Sequence, residues 1–302
     1  MAWEVLNLPE NKKWRKRYVL PVDRVQTCGL RKTQPYKNMK KILLTICAIA
    51  TLTAINASAA ISYDGFGYTI GNPLPGNVDW TSLNTGTPPG VIADNLTVDG
   101  LAAPTGNKVS YSAGNIQEAL GALNTFNSGT VFFSIAFQLT SQPTVSAYAF
   151  ALATGNTNYG ATVWIQAAGA GFNFGVANRS NSTPTYDTVE LSLNTTYFIV
   201  ASYTFNAGTN DDSSSLWINP ASSNFEAASA PTPTLTVTGG NDLVQINQFL
   251  IRGVTGSGAG EVDELRVGTT WASVTPVPEP GTVALVGLGL GTVLFGVRRR
   301  RA

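Results

Sequence analysis

The chain has 302 residues, no histidine, two cysteines and a formal net charge of +1. The lack of histidine excludes Ser-His-Asp catalysis and zinc-hydrolase motifs, and Cys28 and Cys47 both precede residue 60, so the later region has no disulfide framework and no thiolate metal site. The charges are segregated, since residues 64–266 hold four bases and fourteen acids (4 − 14 = −10), and this negative region disfavours nucleic-acid binding.

Residues 1–38 form a basic segment that precedes a complete secretory signal. We interpret this segment as a gene-model extension and expect translation to start at Met39. A long basic cytoplasmic leader is the alternative interpretation. No nucleic-acid partner is expected for it.

Residues 39–60 have the three-part pattern of a signal peptide. Lys40 and Lys41 precede an apolar stretch, which ends in the small residues Ala57-Ser58-Ala59. We therefore predict a signal helix that engages the Sec machinery, with cleavage by signal peptidase after Ala59 or Ala60. The region downstream is then exported.

Residues 61–275 are rich in Gly, Ser, Thr and Asn, and short segments of period 2 dominate them. In the stretch TVFFSIAFQL, Val131, Phe133 and Ile135 lie on one face, whereas residues 196–205 are apolar on both faces, as in a central strand. Further strands are predicted over 147–154, 161–167, 172–177, 188–193, 214–218, 234–238, 245–252 and 261–268. Only Asn115–Phe126 has a pattern typical of a helix. The pattern predicts one all-β domain, a jelly-roll sandwich of two antiparallel sheets.

Three stretches of this region resemble concanavalin A-like (laminin G-like) jelly rolls. They are YDGFGYTIGNPLPGNVDW (63–80), SYTFNAGTNDDSSSLWINP (202–220) and NQFLIRGVTGSGAGEVDELRVGTTWASVTP (247–276). The resemblance implies that the first and last strands pair, with the N-terminal strand beside Val262–Val267. Both ends of the domain would then lie on one side.

The segment Glu261-Val262-Asp263-Glu264-Leu265-Arg266 contains the strongest enzymatic pattern. Some jelly-roll glycosidases carry two carboxylates on one strand, and retaining hydrolysis needs them about 5 Å apart. Glu261 and Asp263 share a strand face by alternation, but Glu264 is expected on the opposite face, paired with Arg266. The pattern therefore lacks the acid/base residue, and a charged closing strand is the preferred interpretation.

Asp211 and Asp212 lie in a predicted hairpin loop, where clustered carboxylates could bind calcium. A solvated turn is the competing interpretation, since Asp and Asn favour turns in any case. No other cofactor is expected. A calcium site would need carboxylates from a second loop.

Exposed aromatic side chains are the usual surface for packing against sugars, although each one is also typical of a sandwich core. The sequence does not identify which of them would bind. The candidates are Trp80, Tyr159, Trp164, Tyr186, Trp217 and Trp271.

Residues 276–302 combine three features in order: Val277-Pro278-Glu279-Pro280-Gly281, an uncharged apolar run from Thr282 to Val297, and Arg298, Arg299, Arg300 and Arg301. The run predicts a transmembrane helix, and the arginines place the tail in the cytoplasm. This arrangement resembles the PEP-CTERM sorting signal of Gram-negative bacteria. The resemblance implies processing by an exosortase-type enzyme near the Pro-Glu-Pro motif.

The sequence therefore predicts a non-enzymatic exported protein, membrane-anchored before processing and then located at the cell surface or in the extracellular matrix. Extracellular polysaccharide is a candidate partner. A surface glycan hydrolase or lyase, and a purely structural matrix protein of the biofilm type, are the alternatives.

Overall fold

The computed structural model describes residues 62–111 and 119–278. The leader over 1–38, the signal peptide over 39–60 and the apolar run over 282–297 lie outside the described residues. Among the helices of the described ranges, none is long and apolar enough to cross a membrane.

The described residues form fifteen strands, one short helix and one turn of 3-10 helix, which confirms the all-β prediction. The helix α1 spans Trp271–Val274, and the 3-10 turn spans Ser222–Asn224. The strands are β1 (Ser62–Asp64), β2 (Trp80–Ser82), β3 (Gly90–Ile92), β4 (Lys108–Tyr111), β5 (Ala119–Phe126), β6 (Gly129–Leu139), β7 (Ala147–Thr154), β8 (Asn158–Ala168), β9 (Gly171–Arg179), β10 (Thr185–Tyr186), β11 (Thr196–Phe205), β12 (Ser213–Ile218), β13 (Leu235–Thr238), β14 (Ile246–Ile251) and β15 (Gly260–Gly268).

The strands form two antiparallel sheets that face each other. The eight-stranded sheet has the order β13-β12-β11-β6-β15-β4-β3, with β1 paired to β15 beside this path. The seven-stranded sheet has the order β10-β9-β8-β7-β14-β5-β2. This arrangement confirms the two-sheet sandwich, and β11 lies centrally between β6 and β12 as its doubly apolar sequence indicates.

The main core lies between the two sheets and follows from the alternation of apolar residues along each strand. Val131, Phe133, Ile135, Phe137 and Leu139 of β6 all point into it. Phe137 makes edge contacts with phenylalanines of the opposite sheet, at 5.3 to 6.4 Å between ring centroids. Burial of these rings between the sheets stabilises the sandwich.

A second apolar cluster covers the other side of the eight-stranded sheet, which we call its outer face. Phe132, Phe198 and Trp217 project from the strands, and Trp271 and Val274 of α1 pack on them. The Oγ atom of Ser134 donates a hydrogen bond to the carbonyl oxygen of Val274 at 2.7 Å. The segment after the last strand is therefore part of the folded domain.

The first and last strands pair as expected. Ser62 lies opposite Val267, and Asp64 lies opposite Leu265. The two ends of the domain therefore meet on the eight-stranded sheet.

Two predictions about elements are wrong. The described part of the predicted helix, Ala119–Phe126, is strand β5, because its backbone pairs with β14 on one side and with β2 on the other. The predicted strand over 188–193 makes only an isolated bridge between Leu191 and Phe172. Beside that bridge, the Glu190 carboxylate accepts hydrogen bonds from the backbone N–H groups of Ala170 and Gly171. A side chain, and not a neighbouring strand, therefore pairs with the backbone there.

Candidate functional site

The described part of the C-terminal motif is bound to the domain. The carbonyl oxygen of Pro276 accepts the N–H of Ala102 at 2.8 Å, and Val277 packs against the second apolar cluster. Pro278 is exposed. The segment Trp271–Val277, which we call the C-terminal strap, therefore holds the chain against the sheet up to the residue before the Pro-Glu-Pro motif.

An aromatic row crosses four adjacent strands of the seven-stranded sheet. Tyr148 of β7 pairs with Trp164 of β8, with ring centroids 5.3 Å apart, and Trp164 pairs in turn with Gly175 of β9. Gly175 pairs with Tyr186 of β10, and a Cβ atom at this glycine would lie 2.6 Å from the Tyr186 ring. The ring of Tyr186 therefore lies over the glycine. With adjacent strands about 4.8 Å apart, the four strands that carry the row span about 14 Å.

The aromatic row lies on the side of this sheet that faces away from the core, its outer face. Val163 and Ile165, the neighbours of Trp164 along β8, belong to the core, so the indole projects to the other side. Tyr148, Trp164 and Tyr186 are all partly exposed. Their rings thus offer apolar area to a ligand.

Hydrogen bonds and packing orient the aromatic row. The indole Nε1 of Trp164 donates to Thr162 Oγ1 at 3.0 Å, and the guanidinium of Arg252 lies 4.1 Å from the centre of the Tyr148 ring. The hydroxyl of Tyr186 is bonded to Ser146 Oγ, and burial raises the pKa of this tyrosine. These contacts hold the rings in place before any ligand arrives.

Amide side chains flank the aromatic row on the same face. Asn173 lies opposite Gln166 across β8 and β9, and Gln248 lies opposite Ala153 on β7. Within the described ranges, the Oδ1 atom of Asn173 and the Oε1 atom of Gln248 are buried without a hydrogen-bond partner. Both oxygens are enclosed by the protein, and each is an unsatisfied acceptor beneath this face.

The other aromatic candidates are packing residues. Trp80, Trp217 and Trp271 are buried, and their indole nitrogens donate to Asp64 Oδ2, Pro231 O and Asn224 O. Tyr159 is also buried and donates its hydroxyl to Asn156 O. Of the aromatic candidates in the sequence, the structure therefore brings Trp164 and Tyr186 together on one exposed surface.

The carboxylates of β15 lie on the other sheet. Glu261 pairs with Lys108 at 2.8 Å, and the Asp263 carboxylate accepts the N–H groups of Leu96 at 2.8 Å and Glu264 at 2.7 Å. Burial raises the pKa of Asp263 to about 7, against the opposing effect of these two hydrogen bonds. The group is enclosed by protein.

The pairing of Glu264 with Arg266 is confirmed at 2.5 Å, but the expectation that Glu264 points to the opposite face is wrong. A β-bulge lies between Asp263 and Arg266, and Glu264 has φ of 56°. Val262 and Leu265 both face the core, so Asp263 and Glu264 both project to the outer face. Glu264 also accepts hydrogen bonds from the Tyr63 hydroxyl and the Thr105 N–H.

Asp211 and Asp212 are joined by Asp242 from a second loop, and ligand atoms of the three lie within 4.8 Å of one another. Each carboxylate already accepts backbone donors: Asp211 from Gly208, Asp212 from Asn206, and Asp242 from Asn210 and Asp212. The buried Asp212 also accepts the hydroxyl of Tyr203 at 2.6 Å. The cluster therefore brings together the carboxylates that the calcium hypothesis requires and also stabilises the loops.

Tyr148, Gln248 and Asp242 are site residues that the sequence analysis did not identify. Tyr148 precedes the core residues Ala149 and Phe150 in a segment predicted as a strand. Its position in that strand could therefore have indicated that its side chain lies on the outer face. Gln248 and Asp242 carried no such signal, because their partners come from strands and loops that are distant in the sequence.

Comparisons with known proteins agree with the C-terminal resemblance. Residues 276–301 match the family model of the PEP-CTERM protein-sorting motif. The chain therefore carries this sorting motif at the end of a β-sandwich domain. The motif implies an exported, membrane-anchored protein that is processed by an exosortase-type enzyme. No curated protein matches the chain.

Several solved structures are similar to the sandwich. An endo-beta-1,4-glucuronan lyase from the fungus Trichoderma reesei is 15% identical over 72% of this chain and 98% of its own, with a TM-score of 0.40. An alginate lyase in complex with alginate trisaccharide is 12% identical over 69% and 97%, with a TM-score of 0.45. A beta-1,3-glucanase from Mycobacterium marinum is 11% identical over 70% and 100%, with a TM-score of 0.40.

Proposed function

We propose that this protein is an exported surface or matrix protein whose β-sandwich binds extracellular polysaccharide without modifying it. Sorting would depend on the Pro-Glu-Pro motif, and binding would depend on the outer face of the seven-stranded sheet. The observation that carries the binding proposal is the aromatic row of Tyr148, Trp164 and Tyr186.

The geometry of the aromatic row suits a linear sugar polymer. The apolar faces of sugar rings can pack on the three side chains, whose strands span about 14 Å at the strand spacing of about 4.8 Å. Asn173 and Gln248 add amide side chains to the same face. An elongated polymer would therefore lie across the strands.

The side chains of this face favour binding over hydrolysis. The seven strands of this sheet contain no Asp and no Glu, so they do not provide the two carboxylates of a glycosidase. The charged residues of β15, which carry the enzymatic pattern, belong to the other sheet. Asp263 and Glu264 are held in buried contacts, and Glu261 is paired with Lys108. A glycan hydrolase or lyase, or a structural matrix protein without a ligand, are the alternatives.

Binding by Trp164→Ala and Tyr186→Ala variants of the full-length protein tests the proposal. The probes are soluble β-glucan, alginate and the polysaccharide secreted by the producing cells, measured by isothermal titration calorimetry. We expect each variant to bind at least about tenfold more weakly, a loss of about 1.4 kcal/mol. Val244→Ala is the control, since Val244 is 85% exposed and distant in sequence from the row.

Three results would contradict the proposal. Unchanged affinity in both aromatic variants would show that the outer face is not the binding surface, and no binding to any probe would favour a structural protein. Release of reducing ends, or of unsaturated sugars detected by ultraviolet absorbance, would favour the hydrolase or lyase alternative.

A further inference from the structure

A cavity of about 390 Å³ opens on the outer face of the eight-stranded sheet, away from the aromatic row. It lies where β11 begins, between the loop that precedes β4 and the segment that follows β12. Its lining residues are Thr97, Val98, Asp99, Thr196, Phe198, Asn219, Pro220, Ser222 and Phe225.

The cavity has an aromatic floor. Phe198 and Phe225 are buried, and their rings meet edge to face at 5.4 Å between centroids. Val98 and Pro220 extend this apolar surface. The apolar face of one small ring could therefore pack on the floor.

The rim of the cavity is polar and has free hydrogen-bonding capacity. Asn219 accepts the N–H of Phe198 at 2.8 Å through its Oδ1 atom, and its Nδ2 atom has no partner among the described residues. The side chains of Thr97, Asp99, Thr196 and Ser222 likewise make no hydrogen bond to any described residue. The rim thus offers three hydroxyls, one amide donor and one carboxylate acceptor.

The walls of the cavity are fixed by contacts outside it. The first wall is formed by residues 97–99. On one side of it the N–H of Leu96 is bonded to Asp263, and on the other Gly100 packs so closely on Ser222 that an added Cβ atom would lie 2.6 Å from Ser222 Cβ. The second wall is formed by residues 219–225. Directly after it, the N–H of Glu226 is bonded to Thr275 of the C-terminal strap. The buried carboxylate of β15 and the strap therefore hold a preformed cavity, which lowers the entropic cost of binding.

The charge of the lining disfavours an anionic ligand. Among the described residues, Asp99 is the one charged residue that lines the cavity, and residues 64–266 carry about ten excess negative charges (4 − 14 = −10). Anionic sugars would therefore be repelled. A volume of 390 Å³ is at the lower end of ligand pockets, which span about 300–1,000 Å³, and so suits a single sugar residue or a chain end.

We propose that this cavity is a second carbohydrate site, which takes one neutral sugar residue. Because the two sites lie on opposite sheets, one domain can hold a glycan chain on each side and bridge them. The bridging role rests on the proposed function, whereas the cavity site stands without it.

Ligand-observed NMR on the full-length protein tests the site, with methyl glucoside, methyl galactoside and N-acetylglucosamine as probes. Thr97→Trp fills the cavity, and Asn219→Gly removes the amide while tolerating the positive φ of 45° at this position. We expect one probe to bind and both variants to weaken it at least tenfold. Thr209→Trp, in an exposed loop outside the lining, is the matched control and should bind as the unaltered protein does.

Absence of binding by all three probes, or unchanged binding in Thr97→Trp, would overturn the proposal. Thr196→Val removes one rim hydroxyl with little change of shape. It is used instead of Thr97→Trp or Asn219→Gly if thermal unfolding shows that either of these variants does not fold properly. A loss of probe binding in this variant supports the site, and an unchanged affinity contradicts it.

The tests of the two sites are independent of each other. Trp164→Ala should leave the binding of the small probes unchanged, so a failure of the aromatic row does not affect this test. Turbidity of mixtures with a neutral polysaccharide measures bridging, and we expect Thr97→Trp to abolish it while binding to the outer face of the seven-stranded sheet persists. Bridging that persists in Thr97→Trp would contradict the bridging role.

Discussion

At the scale of single residues, Asp263 combines complete burial with an ionisable side chain that the fold uses as a hydrogen-bond acceptor. Its carboxylate accepts the N–H groups of Leu96 and Glu264 from inside a β-bulge. Burial raises the pKa of Asp263 from 3.8 to about 7, and the two hydrogen bonds oppose this effect. The group therefore titrates in the neutral range.

The raised pKa of Asp263 predicts a pH-dependent stability. The folded protein holds this proton more tightly than the unfolded chain, so the contribution to stability is complete below pH 3.8 and is lost as the pH rises through about 7. We expect the midpoint of thermal unfolding to fall by at least about 2 °C between pH 5 and pH 8.

The Asp263→Asn variant is the test of this assignment, measured by circular dichroism across the same pH range. The variant loses one acceptor and should be less stable at pH 5, but its stability should vary less with pH. An equal slope in the variant and the unaltered protein would assign the titration to another group.

Residue pairs show which contacts could be predicted from the sequence and which could not. Strand alternation predicted the partnership of Glu264 with Arg266, because it needs only local spacing. The β-bulge that moves Glu264 to the face of Asp263 could not be predicted, since it depends on pairing with β6 more than 120 residues away in the sequence. The same limit hid Gln248, which joins the site only when β14 pairs with β7.

At the scale of elements, strands with clear alternation were predicted and β5 was not. The segment Ala147–Thr154 was predicted with the bounds that the structure shows. Its alternation is broken at Ala149 and Phe150, which both face the core where the pairing with β8 is irregular. Residues 119–126 have helix-forming alanine and leucine, yet the open edge of β14 and the short strand β2 draw them into the sheet. Strand pairing in the tertiary structure therefore overrides the local helix propensity of this segment.

The paired loops around Asp212 provide a prediction at the same scale. Asp211, Asp212 and Asp242 place ligand oxygens within 4.8 Å of one another. The β11–β12 hairpin loop supplies the first two, and the connection from β13 to β14 supplies Asp242. If calcium binds there, millimolar calcium should raise the unfolding midpoint of the unaltered protein, by ligand linkage. Asp242→Asn should lose this increase, and Asp187→Asn is the control.

No shift of the midpoint at millimolar calcium would reject the site. A shift that is equal in the protein and in Asp242→Asn would place the ion elsewhere. In both cases the three carboxylates retain their role as acceptors for the loop N–H groups.

At the scale of the whole molecule, the domain extends to the edge of the sorting motif. Val277 packs on the second apolar cluster, and only four residues separate it from Thr282, where the apolar run of the sequence begins. Processing near Glu279 would therefore leave the C-terminal strap on the domain and the fold complete.

The intact mass of the protein from a host that carries an exosortase-type enzyme tests this account of both ends. We expect a mature chain that begins at Ala60 or Ile61, ends near Pro278, and lacks the four terminal arginines. Glu279→Ala should retain the arginines, whereas Glu226→Ala, an exposed acid within the domain, should be processed normally. A full-length cytoplasmic chain would contradict both sorting predictions.

The position of β15 has a mechanical consequence for a protein anchored at its C-terminus and bound to a polymer. The strand is paired with β6 on one side and with β4 and β1 on the other. Inter-strand hydrogen bonds run perpendicular to the strands, so tension applied along β15 would load many of them together in shear. Under a steady pull the C-terminal strap would peel away first, and the interior strand behind it would then carry the load.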